Sequence, residues 1–205
     1  MYVPKNMQLQ DRAEITQFIA EFGFALMVSP DMQASHLPLI YQADEGPNGT
    51  LYGHMARANP QWRELSGADV LCVFSGPHSY ISPTWYAAGP AVPTWNYAAV
   101  HCYGSVSLLD EQQTTVSMDW LVQKYEPELL NNQGVMPADY RQKLVKAVVG
   151  FKIAVSDIQA KEKLGQQRKS EDQQGVVQGL SESEFDDAQA LLAYMRKRNL
   201  GLGKA

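Results

Sequence analysis

The stretch Thr50-Leu-Tyr-Gly-His-Met-Ala-Arg-Ala-Asn-Pro-Gln-Trp-Arg63 constrains this chain more than any other. Its first half is rich in β-formers and reads as a strand, while its second half opens a short helix. Asn59 suits the N-cap, and Pro60 suits the first helical position, where a missing N–H loses nothing. Between strand and cap lie His54, Met55, Ala56, Arg57 and Ala58, with Gly53 just before them. A strand that runs into a helix start, with small residues and cations at the junction, has the parts needed to hold a phosphate. On spacing alone an ordinary junction with a solvated arginine is the better reading, since helix starts are far commoner than phosphate sites.

The 205 residues are enough for one domain with a sizeable core, and 45% of them are apolar against 19% charged, as in a globular protein. No apolar run is long enough for a membrane helix, and Met-Tyr-Val-Pro-Lys-Asn does not read as a signal peptide. Cys72 and Cys102 fall in expected strands and read as buried free thiols of a reducing cytoplasm. The formal charge of −5 gives no general attraction to nucleic acid.

Taken in order, Asp11 and Glu14 predict a capping box. Ile15, Phe18, Ile19 and Phe22 follow at helical spacing, and Gly23 stands at the C-cap. Strands are expected at 24–28 and 34–41, with Pro38 marking an edge or bulge. Asn48-Gly49 closes a hairpin onto Thr50. A strand at 70–74 leads into a span with no regular structure over 75–93, and a long strand follows at 97–108. Helices are expected at about 110–132, with Met118, Leu121, Val122 and Tyr125 as a stripe, and from Pro137 with Tyr140, Leu144 and Val145 packed. Phe151, Ile153 and Val155 alternate as a last strand. Ser181 and Glu184 cap a final helix whose apolar stripe runs Phe185, Ala188, Leu191, Leu192, Met195. The expected organisation is a single domain over 1–180, with inserted helices at about 110–148, and an amphipathic helix over 181–205 as part of it. The class is mainly β with added helices (α+β), a small barrel with helical additions.

Four histidines, His36, His54, His78 and His101, show no H-x-x-x-H or C-x-x-C spacing, so no metal site is expected. No Gly-x-Ser-x-Gly elbow or activated cysteine is present, and no catalytic residue is assigned. No tight helix-turn-helix stands out. Basic residues cluster only at Lys161–Lys169 and Arg196–Arg198, where a solvated face or a phosphate contact is a simpler explanation than DNA.

Several blocks together resemble the PaiB family, FMN-binding split-barrel proteins described as negative transcriptional regulators. They are Ser35-His-Leu-Pro38, Gly53-His-Met-Ala-Arg-Ala-Asn-Pro-Gln-Trp62, Phe74-Ser-Gly-Pro-His-Ser-Tyr-Ile-Ser-Pro-Thr-Trp-Tyr86, Val92-Pro-Thr-Trp-Asn-Tyr97, Val100-His-Cys-Tyr-Gly104 and, more loosely, Lys161-Glu-Lys-Leu-Gly-Gln-Gln-Arg168. In the last block Gly165 and Gln167 stand where the family usually has Ser and Asn.

The resemblance implies an FMN-binding split β-barrel, usually a homodimer with flavin at the subunit interface. The phosphate falls to His54, Met55, Ala56, Arg57 and Asn59, and the ring edge to Ser35, His36 and Leu37. Trp95, Asn96 and Tyr97 close the slot from a second copy, although core packing and dimer contact account for that aromatic block too. The implied role is a cytoplasmic repressor, with DNA as a possible partner. The alternatives are a flavin-dependent oxidoreductase acting on a small molecule, and a flavin- or haem-binding module without turnover.

Overall fold

The computed structural model describes residues 1–203, so the last two positions of the expected C-terminal segment lie outside the described residues. In chain order the elements are α1 (Arg12–Glu21), β1 (Phe24–Val28), β2 (Ala34–Pro38), β3 (Ile40–Gln42), β4 (Thr50–Ala56), β5 (Asp69–Ile81), β6 (Thr94–Leu108), α2 (Glu111–Tyr125), α3 (Ala138–Lys146), β7 (Val148–Lys163), α4 (Ser170–Ser181) and α5 (Asp186–Arg198). The strands form one seven-stranded sheet in the order β2-β1-β5-β6-β7-β4-β3. The class is mainly β with added helices, as the turn-punctuated strands require. Pro38 ends the edge strand β2, where its missing N–H leaves no gap in an interior ladder. Gly49 takes φ +79°, the turn geometry that brings β3 antiparallel onto β4.

Contacts divide the chain into two compact units. One comprises Met1–Ile15, Ser75–Val100 and Gln159–Ala205, the other Thr16–Phe74 and His101–Ile158.

In the first unit, Leu164, Leu180, Leu191 and Met195 are fully buried. Among them sits a charged cluster. Glu162, 4% exposed, accepts from Arg198 Nε at 2.7 Å and from the Tyr194 hydroxyl at 2.6 Å. Arg198 also pairs with Glu14. Glycine is needed twice along α4. A Cβ on Gly175 would lie 1.9 Å from the Trp85 carbonyl oxygen, and one on Gly179 would lie 2.3 Å from the Trp85 ring. Alanine's better helix propensity of about 1 kcal/mol is therefore overridden at both positions by a backbone and an indole that have nowhere to go.

In the second unit, Leu51 and Met55 of β4 face inward beside Phe151 and Ile153 of β7, and the ladder pairs Leu51 with Ile153 and His54 with Gly150. Helix α2 presents Thr114 and Ser117 to the interior. A Cβ on Gly150 would meet Thr114 Oγ1 at 2.2 Å, so small residues set the approach of helix to sheet here.

Several expected elements are corrected. The span 75–93 is not irregular throughout: β5 runs on to Ile81, through Gly76-Pro77, beyond the residues 71–73 that pair with β1. The last strand runs over 16 residues, Val148–Lys163, well beyond the alternation of Phe151, Ile153 and Val155, which lapses at Ser156 and Asp157 before Ala160, Lys161 and Glu162 are buried in succession. Helix α4 was not expected at all; its two glycines broke the apolar pattern. The final helix starts at Asp186 with Phe185 at its N-cap and no side-chain cap, and Phe185 is 77% exposed. The α2 stripe fails as well, since Tyr125 is exposed while two hydroxyl residues are buried. In α3, Val145 is buried but Tyr140 and Leu144 are exposed.

Candidate flavin site

The two blocks assigned to phosphate and ring edge meet in the second unit. Asn59 ends the turn after β4, and its Oδ1 accepts from the Gln61 N–H at 3.1 Å, capping a short 3₁₀ turn over Pro60–Glu64. Its Nδ2 donates to Ser35 Oγ on β2 at 3.0 Å. Ser35 in turn donates to Gln61 Oε1 at 2.6 Å, and the buried Gln61 amide donates to Ser29 Oγ at 3.0 Å. Residues 24 to 26 positions apart in sequence are thus locked into one polar corner. The expected helix is a tight turn, and one of its free amides is taken by the cap. Its amides are therefore a weaker anion cradle than a full helix start.

Arg57 stands beside this corner. Its Nε and Nη2 donate to the carbonyls of Lys146 and Val148 at 2.9 and 2.8 Å, stitching the end of β4 to the start of β7. Nη1 has no acceptor and the guanidinium no carboxylate partner among the described residues. The guanidinium lies 5.9 Å from the Trp62 ring centroid, and Trp62 Nε1 donates to the Arg57 carbonyl at 2.9 Å. Arg57, Trp62 and Lys146 line a cavity of about 400 Å³. The remaining donors, an exposed guanidinium and one N–H of the Asn59 amide, fit a phosphate in number and charge.

The other assigned residues divide. Leu37 and Met55 point into the core at 8% and 3% exposure and offer a ligand only backbone. His36 is exposed and stacks on Phe24 with centroids 5.9 Å apart. Ala56 is exposed at the end of β4. Trp95, Asn96 and Tyr97 lie in the first unit, and strand alternation separates them. Trp95 is 52% exposed, near His78 and Tyr80, while Asn96 is 3% exposed on the opposite face. Asn96 therefore does not share a surface with its two aromatic neighbours.

Burial lowers the imidazole pKa of His54 from its ordinary 6.5, and burial is also the main reason that His101 is lowered. His101 Nδ1 is a buried ring nitrogen without a hydrogen-bond partner among the described residues. Folding favours the neutral form of each ring. That stabilisation is complete above the unfolded value near 6.5 and is lost as pH falls through the lower folded value. The melting temperature is expected to fall on acidification from about pH 7 to about pH 5, and less steeply in His54→Gln. A scan in which the variant and the parent keep identical slopes would place the acid sensitivity elsewhere. Burial pushes the Cys102 thiol up to about 12 and raises Cys72 as well, so neither free cysteine is a ready nucleophile. Among the described residues no group of three His, Cys, Asp or Glu side chains is arranged to hold a metal.

Sequence reasoning missed the space around the helices. Met118, Val122, Met136 and Val145 of the second unit surround an apolar cavity of about 600 Å³. The only sequence signal for it was the stripe read as core.

The chain belongs to the FMN-binding family described as "Putative FMN-binding domain", which matches residues 1–157, and it adopts the split-barrel class of that family. FMN is the family's cofactor. The "Protease synthase and sporulation protein PAI 2" of Bacillus subtilis is 36% identical over 206 residues, covering 97% of this chain and 98% of its own length. That relative confirms the PaiB resemblance. An uncharacterised protein of Emericella nidulans is 31% identical, over 82% of this chain and 83% of its own. Among solved structures, an FAD and heme binding protein from Mycobacterium smegmatis superposes with a TM-score of 0.58 at 14% identity, covering 78% of this chain and 74% of that one. A flavocytochrome from Azotobacter vinelandii gives 0.59 at 13%, covering 80% and 73%. At such identities the likeness is one of fold. No helix among the described residues is long and apolar enough to cross a membrane.

Proposed function

We propose that the chain is a cytoplasmic flavin-binding regulator that holds FMN at the junction of two copies and acts on gene expression without gripping DNA itself. The observation that carries the flavin reading is the Ser35–Asn59–Gln61 corner, which joins the two sequence blocks expected to meet the cofactor. Arg57 and Asn59 would hold the phosphate, and the backbone around Ser35, His36 and Leu37 would line the ring edge, with His54, Met55 and Ala56 supporting from β4. When bound, FMN supplies one- or two-electron transfer.

Pairing of two copies is supported by exposed aromatic surface in each unit: Phe24 at 63% in one, Trp95 at 52% and Tyr80 at 44% in the other. Trp95 and Tyr97 remain candidates to close the slot from the second copy. The regulatory role draws on the name of the Bacillus relative, which ties that protein to protease synthesis and sporulation. Direct DNA contact gains nothing from the formal charge of −5, and three of the clustered cations are engaged within the fold. Lys161 is buried against Tyr2 and Tyr97, Lys163 donates to Thr94, and Arg198 is committed to Glu162 and Glu14.

A second reading, a flavin-dependent oxidoreductase, draws on the 400 Å³ cavity beside Arg57, which has room for a small molecule. The two readings part on one assay of the FMN-loaded protein. Under the regulator reading NAD(P)H is oxidised no faster than by free FMN; turnover well above that rate favours the oxidoreductase.

A further inference from the structure

A second cavity, of about 140 Å³, lies wholly within the first unit, between Val92–Asn96, the end of β7 and the start of α4. Its wall takes in Gly165 and Gln167, the two positions where this chain departs from the Ser and Asn usual in the family. Asn96 is the telling residue. Its side chain is 3% exposed, lines the cavity and has no hydrogen-bond partner among the described residues. Its Nδ2 stands 3.6 Å from where a Cβ on Gly165 would be, so the amide faces Gly165 across the space. The amide opens onto the cavity, where a ligand can take up hydrogen bonds that no side chain or backbone group supplies among the described residues.

Two cations share the wall. Lys163 Nζ donates to Thr94 Oγ1 at 2.5 Å and keeps two further N–H donors. Burial lowers its pKa, with Lys161 adding to the effect and Tyr97 opposing it. Arg168 lies over the Tyr86 ring at 4.4 Å and has no carboxylate partner among the described residues. Asp172 is the counter-charge, and it already accepts from the Ala87 N–H at 3.0 Å. Two cations against one carboxylate leave a formal excess of one positive charge. Leu164 and Val176 make the remaining wall apolar, which suits an organic anion better than an inorganic one. The volume holds on the order of five water-sized groups.

We propose that this cavity binds a small monocarboxylate carrying a second polar group, with the carboxylate held by Lys163 and Arg168 and the second group paired with Asn96. The proposal sets this site apart from the flavin, so the test uses the full chain saturated with FMN. L-lactate and pyruvate serve as probes, followed by calorimetry and by the NMR signal of the Asn96 side-chain amide. Saturable binding is expected, with a shift of that amide. Propionate, which lacks the second group, is expected to bind more weakly, and the neutral lactamide not measurably.

Asn96→Asp places a like charge against the ligand, and Arg168→Gln removes a cation at an exposed position where folding is not at stake. Each is expected to weaken binding about tenfold or more, the effect of losing one charge-assisted hydrogen bond. The proposal is overturned if neither probe saturates, if both variants bind as the parent does, or if lactate competes with FMN, which would put the carboxylate at the flavin phosphate. Inorganic phosphate binding as tightly as lactate would likewise overturn the organic class of ligand.

Discussion

FMN affinity is expected to drop about tenfold or more in the Arg57→Ala/Asn59→Ala variant, while riboflavin affinity stays where it was. A charge-assisted hydrogen bond contributes about 1.5–3 kcal/mol, and about 1.4 kcal/mol is one factor of ten, so losing even one phosphate contact meets that figure. Riboflavin has the ring but no phosphate, and so separates the two halves of the site. The structure adds a complication. Arg57 also binds the carbonyls of Lys146 and Val148, and Asn59 caps its own turn, so the double variant should lose stability as well as affinity. Arg57→Lys separates these effects, since it keeps the charge but not the fork that reaches two carbonyls. If this variant binds FMN nearly as the parent does while melting lower, the charge serves the ligand and the geometry serves the fold. Parent protein that takes FMN and riboflavin equally well would remove the phosphate cradle altogether.

The second large effect is one of stability. Replacing Glu162 with Leu strands the Arg198 guanidinium, 15% exposed, with Glu14 as its remaining carboxylate, and takes the acceptor from the buried Tyr194 hydroxyl. Breaking a buried pair on one side typically costs about 3–5 kcal/mol, or roughly 6–20 °C in melting temperature for a chain of this size. The double variant Glu162→Leu/Arg198→Leu should recover most of that loss, because no buried charge is left alone and Glu14 is open enough to be hydrated. Thermal melts of the three proteins decide it. A single variant within about 1 kcal/mol of the parent would mean that water already reaches the cluster.

How much of this was legible beforehand depends on the kind of signal. Turn chemistry was local and strong: Asn48-Gly49 and Pro38 fell where a hairpin and an edge require them. The Asn59-Pro60 start was legible too, though propensity could not tell a 3₁₀ turn from an α-helix. Helix α4 escaped notice because Gly175 and Gly179 look like breakers; the carbonyl and the indole of Trp85, about ninety residues earlier in the chain, explain them. Pro77 hid the second half of β5 in the same way. For the candidate site, the motif brought Ser35 and Asn59 to attention together, but nothing in the spacing announced that Arg57 would spend two of its donors on backbone. Asn96 was read with its neighbours as part of one aromatic block. The two-residue period of a strand turns it away from Trp95, and that period could have been applied to the block at once.

The fit of Trp85 against the two glycines of α4 has a practical outcome. Its emission should report on that helix, because the half-buried indole packs directly on Gly179 and gains exposure when α4 loosens. With Trp62, Trp95 and Trp120 replaced by phenylalanine, the protein would carry its own optical gauge of that segment, readable without a label.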